Sequence, residues 1–329
     1  MKLSFISAAL GAMVITGCAS TSQPMKNSST EQAANSAIKS TIVANKTNIQ
    51  VIDLYPGAIP GAIDLPDQES IRDPNHPDTF INDVNKPQIT VYQADPAIAN
   101  GTSVIILPGG GYRGVSIVKE GYQIAERLNK LGITAFVLKY RMPNDKTMQD
   151  KKTGPLQDAQ QAIHLVRENA DKWGVDSNKV GIMGFSAGGH LASTAATHFN
   201  KAVMAEYKNE NLRPDFQILI YPVISMKADV THKGSRDNLL GPELKTQDLS
   251  DYSNEDQINA VTPKAFIVHA NDDKAVPVEN SLLYVKALAE YKIQAELVLL
   301  PAGGHGFGMR NPFDWFESMT QWFKNNQLL

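Results

Sequence analysis

One short run constrains this chain more than any other. Residues 179–190 read Lys-Val-Gly-Ile-Met-Gly-Phe-Ser-Ala-Gly-Gly-His: an apolar stretch, then Gly184-Phe-Ser186-Ala-Gly188, then a segment that reads as helix. Glycine two positions either side of a serine marks a strand–turn–helix corner too tight for larger flanking residues. Such a corner lifts the serine hydroxyl out of the sheet and aims the following helix N-terminus at it. With the strand before it and the helix after it, the run designates Ser186 as a nucleophile. A bare glycine-rich turn is the plainer alternative.

A nucleophilic serine needs a base, and the base an acid; behind a corner of this kind they follow in the order Ser, Asp or Glu, His. Lys264–Ala270 reads as a buried strand, and Asn271-Asp272-Asp273 sits just past its C-terminal end, where open α/β sheets carry functional groups. Asp273 is the expected acid, with Asp272 as its rival. A further strand, Ala295–Leu300, leads into Pro301-Ala-Gly-Gly-His305-Gly-Phe-Gly308. Core packing poorly explains a histidine flanked by glycines in a loop, so His305 is the expected base. His164, His190 and His269 fall inside helix or strand patterns and read as structural, while His76, His198 and His232 lie in polar surroundings.

The apolar Ser103–Leu107 runs into Pro108-Gly-Gly-Gly111-Tyr112. A glycine loop directs backbone N–H groups at developing negative charge with no side chain in the way. Gly110, Gly111 and Ala187 are the expected oxyanion donors, and the neighbouring Tyr112 and Arg113 are candidates to line the acyl or sugar site. Neither a G-x-x-x-x-G-K-[ST] phosphate loop nor a G-x-G-x-x-G with a ribose-binding acid is present. No His, Cys and carboxylate cluster has metal-ligand spacing, so neither metal nor cofactor is expected.

Four stretches together carry a family resemblance: Pro108–Tyr112; Phe185-Ser-Ala-Gly-Gly-His-Leu-Ala192; His269-Ala-Asn-Asp-Asp273-Lys-Ala-Val-Pro-Val-Glu-Asn-Ser281; and Gly304-His-Gly306. The chain resembles the α/β-hydrolase serine esterases from about residue 50 onward. Within them it is most similar to the bacterial acetyl-xylan and feruloyl esterases, near the hormone-sensitive-lipase-like acetyl esterases. Glu120-Gly-Tyr-Gln-Ile-Ala-Glu-Arg-Leu128, Leu138-Lys-Tyr-Arg141 and Asp158-Ala-Gln-Gln-Ala-Ile extend the likeness. It implies hydrolysis of short acyl esters, acetyl groups on plant polysaccharide foremost. The chain departs from the pattern at Pro108, where related lipases carry the histidine of HGGG, and at Ala270, where His-Gly is usual.

The chain has 329 residues, 42% hydrophobic and 20% charged, as in soluble globular proteins, with no long internal apolar stretch. A net charge of −3 and the lack of a basic stripe exclude a general nucleic-acid binder. The first fifteen residues have a basic start and a short apolar core, as a secretory signal does, and lead into Ile15-Thr-Gly-Cys18. This resembles a bacterial lipoprotein box. It implies a signal over residues 1–17, lipid on Cys18 (the single cysteine) and, with alanine at 19, outer-membrane sorting. Residues 18–45, rich in Ser, Thr, Asn, Gln and Ala, read as a flexible tether, and 46–329 as the catalytic domain.

Strands are expected over 48–54, 88–92, 103–107, 133–138, 216–220, 264–270 and 295–300, besides the one before Ser186. Helices are expected over 121–131, over 159–173 with Asp158 as cap or first-turn carboxylate, and over 313–325, whose aromatics read as core. This alternation predicts an α/β-hydrolase fold: a mostly parallel central sheet with helices on both faces. Between 225 and 261 the pattern breaks into polar residues, either a small cap over the site or a solvated connection. The expected chemistry is acyl transfer to Ser186 from an acylated carbohydrate. A general carboxylesterase, a serine peptidase and an inactive lipid-anchored sugar-binding protein remain as alternatives.

Overall fold

The computed structural model describes residues 49–73, 76 and 78–329. The expected signal segment, the tether and Cys18 lie outside the described residues. In chain order the strands are β1 (Ile49–Asp53), β2 (Ser70–Ile71), β3 (Ile81–Asn82), β4 (Gln88–Tyr92), β5 (Ser103–Leu107), β6 (Gly114–Val115), β7 (Thr134–Lys139), β8 (Val180–Phe185), β9 (Phe216–Ile220), β10 (Lys264–Ala270) and β11 (Ala295–Leu300). Eight of them form one sheet in the order β1-β4-β7-β5-β8-β9-β10-β11. β1 and β4 pair antiparallel, as do β4 and β7, and every later pairing is parallel.

The parallel strands read as unbroken apolar runs because both their faces are covered. Every residue of β5, β7, β8 and β9 is buried, and all of β10 except Lys264. Edge strand β11 keeps only Leu300 fully inside. The helices are α1 (Gln123–Asn129), α2 (Gly154–Glu168), α3 (Ala170–Trp173), α4 (Ala187–Thr197), α5 (Lys233–Leu240), α6 (Thr246–Asp251), α7 (Glu279–Glu290) and α8 (Trp315–Asn325). On α8, Trp315, Phe316, Met319, Trp322 and Phe323 are all buried, with Trp322 packed against Phe216 and Phe266, so its aromatics are core.

Several elements differ from the periodicity. The helix expected over 121–131 begins earlier, with a π-helical turn at Val118–Tyr122 that runs into α1. The helix expected over 159–173 starts at Gly154, where Pro155 supplies a preset φ, and breaks at Asn169 into α2 and α3. Asp158 is therefore no cap: it is fully buried inside α2, takes Arg141 Nη2 at 2.7 Å and Nε at 3.0 Å, and accepts from Tyr55 Oη at 2.8 Å. α7 went unanticipated because its inward face opens with Asn280 and Ser281 rather than an apolar stripe. Asn280 Oδ1 accepts from the amides of Ile224 and Ser225 at 2.9 and 3.1 Å. The pairs β2–β3 and β3–β6 make a second, three-stranded sheet from two-residue strands, too short to give a period-2 signal.

The connection over 225–261 folds into α5, α6 and a 3-10 turn at Asn254–Asp256. Asn238 of α5 donates from Nδ2 to Gly111 O at 2.8 Å, which ties this connection to the glycine loop.

Candidate active site

Ser186 follows β8 at the centre of the sheet and opens α4 with φ +53° and ψ −119°, a strained conformation for a residue with a side chain. The flanking glycines permit it. A Cβ on Gly184 would lie 2.1 Å from Gly188 O, and one on Gly188 would lie 2.1 Å from Leu107 O. Both clashes are with backbone, so the corner closes only without those side chains.

The loop after β11 brings His305 to the corner, with its Nε2 2.8 Å from Ser186 Oγ. His305 Nδ1 lies 2.7 Å from Asp273 Oδ2. Of the two candidate acids, Asp273 is the one that touches His305. Asp272 is exposed and instead accepts from Gly304 N at 2.8 Å, which braces the loop that carries the histidine. Asp273 is buried, and its Oδ1 accepts from the amides of Ala275 and Val276, both at 2.9 Å. Burial alone would raise this carboxyl, but hydrogen bonds from His269 and His305, the His305 charge and the Val276 amide outweigh it and hold Asp273 well below the usual carboxylate range.

His269, read as structural, is also tied to the site. Its Nε2 lies 3.0 Å from Val276 O and 3.3 Å from Asp273 Oδ2. A carbonyl only accepts, so Nε2 donates, and Nδ1 takes the hydroxyl of Ser281 at 2.8 Å. Asp273 thus has an imidazole on each side. The tie lies between the end of β10 and α7, and no spacing in the chain announces it.

The glycine loop between β5 and β6 faces Ser186. The amides of Gly110 and Gly111 have no acceptor among the described residues, and Ala187 is the first residue of α4, where helix amides lack an intrahelical partner. Gly109 differs: its N–H donates to Glu120 Oε2 at 2.8 Å. Glu120 sits in the π-helical turn, is buried, and takes the Tyr221 hydroxyl on Oε1 at 2.8 Å. That hydroxyl accepts in turn from Gly308 N at 3.0 Å, and the Tyr221 ring packs edge-on against His305 with centroids 4.9 Å apart. One buried carboxylate therefore links the glycine loop to the loop carrying His305. In the sequence Glu120 stood out only as the first residue of a stretch that extends the family likeness, and Tyr221 only as a tyrosine before Pro222.

These groups open into a cavity of about 420 Å³ lined by Phe80, Arg113, Lys119, His232, Asn238 and the glycine loop. Arg113 stands where a substrate contact was expected. Tyr112 does not: it is 2% exposed, and its hydroxyl lies 2.8 Å from His190 Nδ1 beneath the loop. At φ +58° its backbone turns the ring inward, onto Tyr140 and His190, so its role is packing. His190 is fully buried between Tyr112 and the carbonyl of Tyr252, and burial lowers its pKa to about 4. Among the described residues no group of three or more His, Cys, Asp or Glu side chains is placed to hold a metal ion.

The sheet order and the turn that carries Ser186 are those of the α/β hydrolases. The BD-FAE family model matches residues 89–288, and the chain belongs to that family of α/β-hydrolase esterases. It is 34% identical to a solved acetyl ester-xyloside bifunctional hydrolase from Caldicellulosiruptor lactoaceticus, with a TM-score of 0.69 over 85% of this chain and 97% of that one. It is 38% identical over 254 residues to the acetylxylan esterase of Xylanibacter ruminicola, covering 74% of this chain and 49% of the relative. It is likewise 38% identical over 210 residues to endo-1,4-beta-xylanase B of Butyrivibrio fibrisolvens, covering 63% of this chain and 33% of that protein. The chain thus spans half or less of the length of these two curated relatives.

Proposed function

We propose that this protein is a serine esterase that removes short acyl groups, acetyl foremost, from carbohydrate such as acetylated xylan. The observation that carries the proposal is the continuous contact from Ser186 Oγ to His305 Nε2 at 2.8 Å and from His305 Nδ1 to Asp273 at 2.7 Å, facing a loop with free amides. The acetylxylan esterase and acetyl ester-xyloside hydrolase relatives support the substrate class.

In this scheme Ser186 Oγ attacks the ester carbonyl while His305 Nε2 takes its proton. Asp273 orients the imidazole and stabilises its charged form. The amides of Gly110, Gly111 and Ala187 hold the oxyanion, where one such donor typically contributes ~3 kcal/mol to the transition state. The C–O bond breaks, the alcohol leaves with the proton from His305, and an acyl group stays on Ser186. A water that gives its proton to His305 then attacks the acyl carbonyl; the bond from Ser186 Oγ to the acyl carbon breaks, Oγ takes the proton back from His305, and the acid departs. Arg113 lines the substrate side. The leader and Cys18 support export of the enzyme and a lipid anchor on a bacterial membrane, with residues 18–45 as spacer.

The test is hydrolysis of para-nitrophenyl esters of rising acyl length, with acetate release from acetylated xylan, for the wild type and Ser186→Ala. The expected result is fastest turnover of the acetyl ester, acetate from xylan, and a loss of about 10⁴-fold or more in kcat in the variant. Activity that climbs with chain length and leaves xylan untouched would move the protein to a general carboxylesterase.

A further inference from the structure

The cavity wall beside the glycine loop carries a second imidazole that the acyl-transfer scheme does not use. His232 sits at the N-cap of α5 and lines the same cavity as Ser186 and His305. Its Cε1 lies 3.9 Å from the point a Cβ on Gly111 would occupy, and Asn238, on the same short helix, holds the Gly111 carbonyl.

The partners of the ring set its tautomer. Ser235 N lies 3.2 Å from His232 Nδ1, and a backbone amide only donates, so Nδ1 presents its lone pair; Ser235 Oγ shares that atom at 2.8 Å. Burial, and then the nearby His305, push this imidazole below its ordinary range, so at neutral pH the ring carries one proton. That proton is on Nε2. Nε2 has no hydrogen-bond partner among the described residues. The site therefore holds an N–H donor, fixed by a helix cap, on the wall of the cavity.

The scheme also assigns the sides of the substrate. The carbonyl oxygen goes to Gly110, Gly111 and Ala187, and the departing alcohol goes toward His305, which protonates it. His232 lines the same cavity as Ser186 and His305, and an acetyl group fills little of it, so the rest, with His232 on its wall, is left to the alcohol. We propose that His232 Nε2–H is a specificity-determining donor that binds a hydroxyl oxygen next to the acylated carbon of the sugar. Simple alcohols lack that oxygen. The inference rests on the carbohydrate-esterase function proposed above.

A pair of acetates of the same ring size tests it: monoacetylated methyl xyloside, and cyclohexyl acetate, which has no neighbouring hydroxyl. His232→Asn is the informative variant. Asparagine is among the strongest N-caps, so its Oδ1 can still accept from Ser235 N, but it is too short to bring a donor to the cavity. The wild type is expected to favour the xyloside in kcat/KM, and His232→Asn to reduce that preference roughly tenfold, mostly through KM. His232→Ala, which also removes the cap, shows the same loss of preference together with a lower Tm. An unchanged preference in His232→Asn, or an equal loss on both acetates, overturns the inference and leaves the esterase function standing. A wild type that turns over para-nitrophenyl acetate but releases no acetate from the xyloside overturns the carbohydrate function, and the inference with it.

Discussion

At the scale of single residues, two adjacent carboxylates are separated by geometry that no spacing encodes. Asp273 is buried and touches His305, whereas Asp272 is exposed and touches a backbone amide. Asp273→Asn is expected to leave the fold intact and to lower kcat by about 10⁴-fold, because an amide cannot hold the imidazole in the tautomer that accepts the serine proton. Asp272→Asn keeps an oxygen for Gly304 N and should cost less than tenfold. Steady-state kinetics on para-nitrophenyl acetate read both, and the reverse order of effects would place the acid at Asp272. His305 was legible because glycines flank it. Glu120, His269 and His232 were not: the partners of Glu120, Gly109 and Tyr221, are distant in the chain, His269 meets Asp273 four residues on with its ring held by Val276 and Ser281, and His232 faces a wall that exists only after folding.

At the scale of elements, α2 departs furthest from its sequence pattern. Asp158 looked like a helix start because carboxylates are favoured there. Instead it pairs in the core with Arg141, which is 1% exposed. A pair like this adds little relative to an apolar replacement of both partners, but removing one leaves an uncompensated buried charge. Asp158→Ala should therefore destabilise the protein by about 3–5 kcal/mol. Urea unfolding at pH 7 checks this, and a loss below about 1 kcal/mol would mean that water reaches Arg141. The strands were read almost to their bounds, since buried parallel strands are continuous apolar runs. The two-residue strands escaped because they are too short for a period, and α7 because Asn280 and Ser281 open its buried face ahead of Tyr284 and Leu288.

For the whole molecule, the buried ionisable groups set the response to pH. His190 titrates at about 4 in the folded state, against about 6.5 unfolded, and His198, also buried, likewise at about 4. Between these values the unfolded chain takes up protons that the folded chain refuses, so stability is full above about 6.5 and falls as pH drops toward 4. For His190 the loss is about 3 kcal/mol. Asp273 acts lower: its folded carboxyl titrates below the unfolded value of about 3.9, so its contribution is present above that pH and disappears as pH falls through the folded value. Unfolding free energies measured in urea from pH 7.5 to 4 should fall steadily below 6.5, and His190→Gln should flatten part of that slope. A flat profile down to pH 5 would show that both histidines take up protons in place.

The serine corner, the glycine loop, the histidine loop and the alternation of strand and helix are legible in residue order alone. Each of these is written in local backbone requirements: a turn that tolerates only glycine, a run buried on both faces, a helix stripe. Packing of the folded chain selects which carboxylate meets His305, turns Tyr112 inward while Arg113 faces the cavity, and lets Glu120 join the loops around Ser186. Those outcomes depend on the angle at which elements distant in the chain pack together. A polar side chain takes whichever partner that packing brings within about 3 Å, and residue order alone does not specify the encounter.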